Sequence, residues 1–509
     1  MHKAHSFMPR ATPPSRFSPA VLAATLTAAL AGCASLAPRH EMPALPVSDT
    51  YPTDAMPAAQ PAGQPVAVIA WRDYFDEPQL RGLIERALQH NRDLRLATLQ
   101  VEQARAAYRI QRADQFPSVG INAQGVRSRV PGDLNGSGRP AVGESYDVSL
   151  GIASWELDFW GRVRSLKTAA LETYFATDAA RQAATVNLIA TVADGYVGLR
   201  ELDERLRLAE QTIATRQESF RIFSRRVEVG ATSRLELTQV ESLLTQAQAL
   251  GAQLRRERAA QAHALALLVG APVDLSTLPP LDPAAARMLP ALQAGLPSDL
   301  LLDRPDIVAA EHQLRASNAS IGAARAAFFP RVALTGSVGS ASAEFDGLFD
   351  SGSRAWTFAP TISLPIFSGG RNRANLDLAW IRRDMAVAEY ERTIQLAFRD
   401  VADALSAQHW LAEQVRILQL TLDTQRERAR LAELRYDNGA AAFLEVLDAQ
   451  RELLSAEQQV VQARSALLSS RIGLYAALGG GPLDPAARVG GASATSPSTP
   501  TSSTSGDAP

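Results

Sequence analysis

Only one of the 509 residues is a cysteine, Cys33, which excludes a disulfide within the chain and a cysteine-based zinc cluster. The seven histidines show no spacing typical of metal ligands, and no glycine-rich phosphate loop follows a predicted strand. The formal net charge is only −2, so no basic surface indicates binding to nucleic acid. We therefore predict no metal, no cofactor, no catalytic residue and no nucleic-acid partner.

Proline is missing from two long stretches, although the chain contains 30 prolines. One stretch runs from Ala141 to Ala271 and the other from Phe367 to Gly481, and both are rich in strong helix formers. Because proline breaks helix interiors, each stretch can hold a helix of about 100 Å, at about 1.5 Å per residue. An ordinary globular core does not need helices of that length.

The N-terminus has the layout of a secretory signal peptide. Three basic residues precede the uncharged run PAVLAATLTAALAGC, which is too short for a spanning helix. Leu30-Ala31-Gly32-Cys33 resembles the lipobox of bacterial lipoproteins, in which cleavage precedes the cysteine and its thiol is acylated. Ala34 replaces the aspartate that commonly holds such lipoproteins at the inner membrane. These residues predict a lipoprotein signal peptide at 1–32 and a lipid anchor at Cys33 in the outer membrane.

The chain contains an internal tandem duplication, because motifs of the first half recur 209 residues later. The recurring motifs are Val192-Ala193-Asp194 and Val401-Ala402-Asp403, Gly230 and Gly439, and Leu235-Glu236 and Leu444-Glu445. Each half is predicted to contain a helix, two strands, a long helix, a glycine turn and another helix.

The duplication defines the predicted domain boundaries. The first repeat is 76–270, with a strand pair at 117–158, a long helix at 161–228 and a helix at 233–269. The second repeat is 299–481, with a strand pair at 330–366, a long helix at 370–437 and a helix at 442–478. The remaining segments are an N-terminal segment at 33–75, an inter-repeat segment at 271–298, and a tail rich in serine, threonine and proline at 482–509, predicted to be disordered.

In each predicted strand pair, apolar residues alternate with small or polar ones, as in 146–153 and 356–366. A transmembrane β-strand shows this period of two, and so does a soluble hairpin with one buried face. The export signal favours the membrane. Four strands cannot close a barrel, and an open edge in lipid leaves backbone groups unpaired. Three chains supply twelve strands, which predicts a homotrimer.

The lipobox, the duplicated halves, the strand pairs and the segment GAAAFLEVLDAQ at 439–450 resemble one family in their order and spacing. This family is the TolC-like outer-membrane channels of tripartite efflux pumps, in the lipoprotein branch. The resemblance covers residues from about Trp71 to Gly481. It implies a mainly α chain with membrane β-structure, which forms a trimeric twelve-strand outer-membrane β-barrel with four strands per chain. A long periplasmic α-helical barrel continues from it, surrounded by a mixed belt to which the resemblance assigns the N-terminal segment 33–75 and the inter-repeat segment 271–298.

The same resemblance implies a function. The chain is expected to be the exit duct of a tripartite RND-type pump that exports small molecules such as drugs. Its expected partners are two further copies of itself, a periplasmic adaptor protein, outer-membrane lipid and, indirectly, an inner-membrane RND transporter. Both glycine turns are expected at the periplasmic tip, where the family docks the adaptor through small residues. By match these residues are Val229, Gly230, Ala231 and Thr232, followed by Asn438, Gly439, Ala440 and Ala441.

Glu445 and Asp448 lie three positions apart near the start of the last long helix. Taken alone, this pair fits an acid–base couple, a complement to the positive helix N-terminus, or a ring formed by several chains. The resemblance implies a periplasmic gate, in which Leu444 and Asp448 form the constriction and Arg451 links to the aspartate. It also implies a second acidic ring at Glu445 and a tyrosine latch at Tyr436. Ala441 departs from the arginine that shares this latch in some members.

Three other classes of protein compete with an efflux channel. A duct for type I protein secretion would use the same architecture. A coiled-coil scaffold of the cell envelope would account for the long helices, but for neither the strands nor the duplication. An enzyme would need a concave site and a catalytic partner for the carboxylates, and the sequence offers no such partner.

Overall fold

The computed structural model describes residues 36–51, 64–65, 69–276, 278–279, 289, 292–293 and 299–482. Cys33, the predicted signal peptide, parts of both predicted belt segments and nearly all of the predicted tail lie outside these residues. The chain divides into two compact units. Of the described residues, those within 36–42, 104–173 and 313–386 form the first unit, and all the others form the second.

Helices account for most of the described residues, and four of them are very long. The helices are α1 Trp71–Tyr74, α2 Pro78–His90, α3 Arg92–Ala113, α4 Arg162–Glu228, α5 Arg234–Val269, α6 Leu300–Asp303, α7 Pro305–Ala326, α8 Arg371–Asp437 and α9 Phe443–Ala477. Helices α4 and α8 have 67 residues each, which corresponds to about 100 Å at about 1.5 Å per residue. In the described part of the chain, no helix is both apolar and long enough to cross a membrane.

The first unit contains a four-stranded antiparallel sheet. Its strands are β2 Val119–Val130, β3 Ala141–Leu157, β5 Arg331–Ser342 and β6 Arg354–Ser363, and their order is β2-β3-β5-β6. A strand pair from each repeat therefore forms half of one sheet. Two further strands of two residues each, β1 Gln64–Pro65 and β4 Leu292–Gln293, pair in parallel in the second unit. This contact joins the two segments that the sequence predicts to be belt.

One face of the four-stranded sheet is apolar, and in the single chain it is exposed. The register aligns Ile121, Leu150, Val338 and Trp356 across all four strands. These four side chains keep between 46% and 78% of their surface exposed. The opposite face carries mainly small and polar residues, among them Asn122, Ser149, Ser337 and Thr357. We call the exposed side with Ile121, Leu150, Val338 and Trp356 the apolar face. The difference between the two faces is the alternation expected of strands that contact lipid on one side.

The sheet has two open edges in the described residues, because β2 pairs only with β3 and β6 pairs only with β5. Each edge presents a row of backbone amide and carbonyl groups that lack a partner strand. An open edge of 10 or 12 residues is long for a protein sheet. The single chain is therefore an incomplete unit of β-structure.

The second unit has a continuous hydrophobic core, in which the short helices pack against the long ones. Tyr74 of α1 stacks on Tyr475 of α9 with ring centroids 4.5 Å apart, and Phe75 contacts the same ring edge-on at 5.5 Å. All three side chains are at most 1% exposed. Stacked aromatic pairs contribute about 0.5–1.5 kcal/mol beyond the area that they bury. These contacts hold the ends of α1 and α9 together.

Candidate functional site

Helices α4 and α5 are joined by a tight turn at Gly230, and α8 and α9 by an equivalent turn at Gly439. Both glycines have φ of +70°, a left-handed conformation that costs a residue with a side chain about 1–2 kcal/mol. In the first turn, the amide of Ala231 donates to the carbonyl of Arg226 at 2.8 Å, which closes a Schellman motif. The second turn repeats this bond at 2.8 Å between Ala440 and Arg435.

The two turns differ in how the following helix begins. In the first, Ser233 accepts a hydrogen bond from the amide of Glu236 at 3.2 Å, and the Glu236 carboxylate accepts one from the amide of Ser233 at 3.1 Å. This capping box stabilises the first turn of α5. Hydrogen bonding from Thr232 and from the Ser233 amide lowers the pKa of Glu236, so its contribution is full at neutral pH and is lost as the pH falls through that lowered pKa. The second turn has Ala442 at the cap, without a side-chain bond.

A serine introduced at the cap of α9 should stabilise the first turn of that helix, and loss of the serine cap of α5 should destabilise the first turn of α5. We expect Ala442→Ser to slow amide hydrogen exchange in residues 443–446, and Ser233→Ala to speed it in residues 234–237. A cap contributes about 1 kcal/mol, so each rate should change by about fivefold. Hydrogen exchange measured by mass spectrometry tests both variants, and each serves as the control for the other helix. Unchanged exchange in both segments would show that the caps do not set local stability.

The predicted gate residue Asp448 has two guanidinium partners within its own chain. Arg451, one turn further along α9, donates to Oδ1 at 2.6 Å, and Arg428 of α8 donates to Oδ2 at 2.6 Å. All three side chains are between 37% and 55% exposed. Exposed ion pairs are individually weak, but one carboxylate held by two arginines from two helices has a fixed orientation. Leu444 of the same predicted gate is 54% exposed.

Arg216 of α4 places a further positive charge near Arg451. Its side chain is 4% exposed, and Nη1 donates to the carbonyl of Leu243 at 2.6 Å. Burial and, to a lesser extent, the charge of Arg451 lower the pKa of Arg216.

Glu445, the second acidic residue of the opening motif of α9, binds a different arginine. Arg435 at the end of α8 donates to its carboxylate at 2.8 Å, so the ion pair spans the turn at Gly439. Glu236, the equivalent residue of the first repeat, is used for capping instead. The absence of a serine at position 442 leaves the Glu445 carboxylate available for Arg435. Glu445 therefore lies in the first turn of α9 without forming a capping box.

The predicted latch residue Tyr436 contacts the other hairpin of the same chain. Arg226 at the end of α4 donates to its hydroxyl at 2.6 Å. The ring of Phe443 lies 4.9 Å from that of Tyr436 and stacks on Phe223 of α4 at 4.4 Å. A polar contact and an aromatic contact thus join the two helical hairpins, and Leu447 of α9 packs in one cluster with Phe223 and Val240 of the first hairpin. Arg226 supplies the guanidinium that the sequence lacks at Ala441.

Arg451 is the one arginine of this region that the sequence predicted as a partner. The partners Arg428, Arg435 and Arg226 were missed. The turn at Gly439 makes α8 and α9 antiparallel, so residues at similar distances before and after this glycine lie side by side. Arg428 and Asp448 are such a pair, and so are Arg435 and Glu445. Arg428 and Arg435 could therefore have been found. Arg226 could not, since it belongs to another hairpin, 210 positions from Tyr436. No group of histidine, cysteine, aspartate and glutamate among the described residues could hold a metal ion.

The chain contains a sheet with one apolar face and two open edges. It also contains two helical hairpins that contact each other near their turns. These are the parts expected of a channel-forming outer-membrane protein. The sequence pattern of one protein family covers most of the chain, at residues 83–271 and 296–480. The chain belongs to this family, the outer membrane efflux proteins. The predicted family, the mainly helical fold with a membrane-type sheet and the function in efflux at the outer membrane are thereby confirmed.

Several relatives resemble the chain over nearly its whole length. Outer membrane protein OprJ of Pseudomonas aeruginosa is 43% identical over 460 residues, which are 90% of this chain and 95% of the relative. The toluene efflux pump outer membrane protein TtgI of Pseudomonas putida is 44% identical over 454 residues, 89% of this chain and 96% of the relative.

Solved structures share the fold. The open state of the Neisseria gonorrhoeae MtrE outer membrane channel is 40% identical, with a TM-score of 0.79 over 89% of this chain and 99% of that one. The Campylobacter jejuni CmeC outer membrane channel is 25% identical, with a TM-score of 0.82 over 90% of this chain and 98% of that one.

Proposed function

We propose that this chain is the exit duct of a tripartite RND-type efflux pump and that it works as a homotrimer. The observation that carries the assembly is the sheet with two open edges, β2 and β6, and an exposed apolar face. Backbone groups in lipid must be paired within the protein, so a sheet of this kind needs closure. The strands alternate in direction from β2 to β6, so β6 of one copy can pair antiparallel with β2 of the next. Three copies give a barrel of about twelve strands, within the range of bacterial barrels.

The turns at Gly230 and Gly439 form the proposed docking surface for a periplasmic adaptor, through which an inner-membrane transporter is engaged indirectly. The residues 229–232 and 438–441 support this role, because they are small and mostly exposed at the ends of the longest helices. TtgI is named for toluene efflux and SrpC for solvent efflux, so we extend the proposal to small apolar organic compounds as substrates.

The gate is proposed to consist of Leu444, Glu445, Asp448 and Arg451, with Tyr436 as a latch. In a trimer with the two turns at one end, three Asp448 side chains would approach a common axis. Each aspartate is already balanced by Arg428 and Arg451 of its own chain, which lowers the repulsion between copies. The Tyr436–Arg226 bond ties the hairpin that carries the gate to its neighbour. The closed tip therefore needs no bound cation in this proposal.

Assembly and conduction can be measured on one purified sample of the full-length protein. Native mass spectrometry in mild detergent is expected to give the mass of three chains, and planar-bilayer recordings are expected to give discrete channel steps. A monomeric or dimeric mass under mild conditions would contradict the trimer. A trimer that never conducts, even after the gate substitutions described below, would contradict the duct.

The lipid anchor is proposed at Cys33, close to the first described residues. The carbonyl of Leu36 accepts a hydrogen bond from Arg325 of α7 at 2.9 Å. Ala37 packs so closely on Gly322 that a side chain there would meet its backbone amide at 2.8 Å. Because these contacts fix the chain near Cys33 to the first unit, which also holds the sheet, an acyl group at Cys33 can reach the membrane that the sheet enters.

Cys33→Ser tests the anchor separately from the assembly. We expect the variant to lose the added mass of the acyl groups and to keep its trimeric mass, because barrel closure buries far more apolar area than three lipid anchors. Intact-mass measurement of both proteins decides the question. An unmodified Cys33, or a mature chain that starts elsewhere, would remove the anchor from the proposal.

A further inference from the structure

Three arginines extend the apolar face of the sheet toward its loop end. Along β2, Ile121 is followed on the same face by Arg127 and Arg129, since side chains of a strand alternate between faces. On β6, Arg354 lies two residues before Trp356 and therefore also shares that face. In the register, Arg354 is opposite Ser340, and Arg129 is opposite Val142. The end of the apolar face is thus basic on both edge strands.

Only one of these arginines has an acidic partner in the described part of the chain. Arg127 pairs with Glu144, directly opposite on β3, at 2.9 Å. Within the same residues, Arg129 and Arg354 are exposed and make no ion pair with the carboxylates of the loop at 343–353 or with any other group. Two guanidinium groups per chain therefore remain uncompensated beside apolar side chains, a costly arrangement on a face that contacts lipid.

We infer that Arg129 and Arg354, supported by Arg127, bind the phosphate groups of lipid headgroups in the outer leaflet of the outer membrane. Guanidinium groups bind phosphate through two parallel hydrogen bonds, and their carbon chains can lie along apolar surface while the charge reaches the headgroup level. The apolar face below them, with Ile121 and Trp356, meets the acyl chains of the same lipid. A membrane lipid can contact the arginines and the apolar face at the same time, whereas free phosphate can contact only the arginines.

The placement in the outer leaflet rests on the proposed function. In the proposed function, the long helices extend into the periplasm. Helix α4 follows the end of β3 at Leu157, so the loops at the other end of the strands face the outside. Closure of the barrel also brings β6 of one copy beside β2 of the next. Arg354 of one chain then lies on the strand next to the one that carries Arg127 and Arg129 of its neighbour. Each seam between copies would hold one group of three arginines.

The test uses purified full-length protein and two probes that differ only in phosphate. Native mass spectrometry measures binding of diphosphorylated lipid A and of its dephosphorylated form to the unmodified protein, to Arg129→Ser/Arg354→Ser, and to Arg139→Ser. Arg139 is an exposed arginine of the adjoining loop and serves as the matched control. We expect the phosphorylated form to bind more tightly and the double variant to lose about tenfold in affinity for it, with little loss for Arg139→Ser.

Three results would overturn the lipid site: equal binding of both probes by the unmodified protein, an undiminished preference in the double variant, or an equal loss in Arg139→Ser. If the double variant fails to assemble, the single variants Arg129→Ser and Arg354→Ser are measured instead, and an undiminished preference in both also overturns the proposal. The same spectra report the oligomer. A trimer without phosphate preference contradicts only this inference, whereas the absence of a trimer contradicts the proposed function.

Discussion

Arg428→Gln combined with Arg451→Gln is expected to raise the single-channel conductance in planar bilayers severalfold while leaving the trimer intact. The double substitution removes both partners of Asp448, which each donate to it at 2.6 Å. In the proposed gate, three unpaired carboxylates near one axis would repel each other, and the tip would relax outward. Adding Asp448→Asn to the same protein should bring the conductance back down, because it removes the repulsion that opened the tip.

The matched control is Arg416→Gln with Arg430→Gln, and both of these arginines lie on α8, the helix that carries Arg428. These arginines pair with Glu413 and Glu427 three residues earlier, at 2.7 Å in both cases, and are similarly exposed. If the gate substitutions and the control behave alike, the carboxylates of α9 only complement its helix N-terminus. That role is worth about 0.3–1 kcal/mol and has no effect on conduction.

Gly439→Val is expected to abolish most efflux in cells that supply the matching adaptor and inner-membrane pump. A Cβ atom at this position would meet no heavy atom within 4 Å in the single chain, so the substitution has room at the turn. It does strain the backbone, because a left-handed conformation costs a residue with a side chain about 1–2 kcal/mol. Such a loss is small for long helices packed against each other. The larger effect is expected at the proposed docking surface, from which a branched side chain would project, and Gly230→Val should behave alike.

Gly369 offers the control for this substitution. It has φ of +60° and open space around it, but it lies just before α8, at the opposite end of that helix from Gly439. Gly369→Val introduces comparable strain, and we expect efflux to be retained. Whole-cell accumulation of a fluorescent substrate, with channel abundance checked in the same cells, measures all three variants. Normal efflux in both tip variants would mean that the adaptor docks elsewhere.

Much of the fold could be predicted from the sequence because its determinants are local. The long stretches without proline predict that helices as long as α4 and α8 can form there, because proline breaks helix interiors, and Gly230 and Gly439 mark where these two helices end. The alternating segments predict the strands, and the duplication predicts that the halves match. The sequence could not predict that β3 pairs with β5, which joins the two repeats into one sheet. That pairing depends on contacts between residues about 190 positions apart.

The candidate site was predictable to a smaller extent. The match to known channels assigned Asp448 and Arg451 to the same site, and they are adjacent in the structure because residues three apart share a helical face. The second partner, Arg428, required the pairing of α8 with α9. The contact of Tyr436 with Arg226 required the packing of two hairpins, which no local pattern encodes. Whether these residues form a gate stays a prediction that the conductance experiment decides.

The two open edges of the sheet also have a genetic consequence. If each copy must accept a strand from one neighbour and offer one to the other, a copy with a damaged β6 can still enter the ring and leave it unclosed. Cells that make intact and damaged copies in equal amounts would then assemble only about one ring in eight from intact copies, given three-fold symmetry. Alleles with a damaged edge strand should therefore be dominant, whereas alleles that prevent the chain from folding should be recessive.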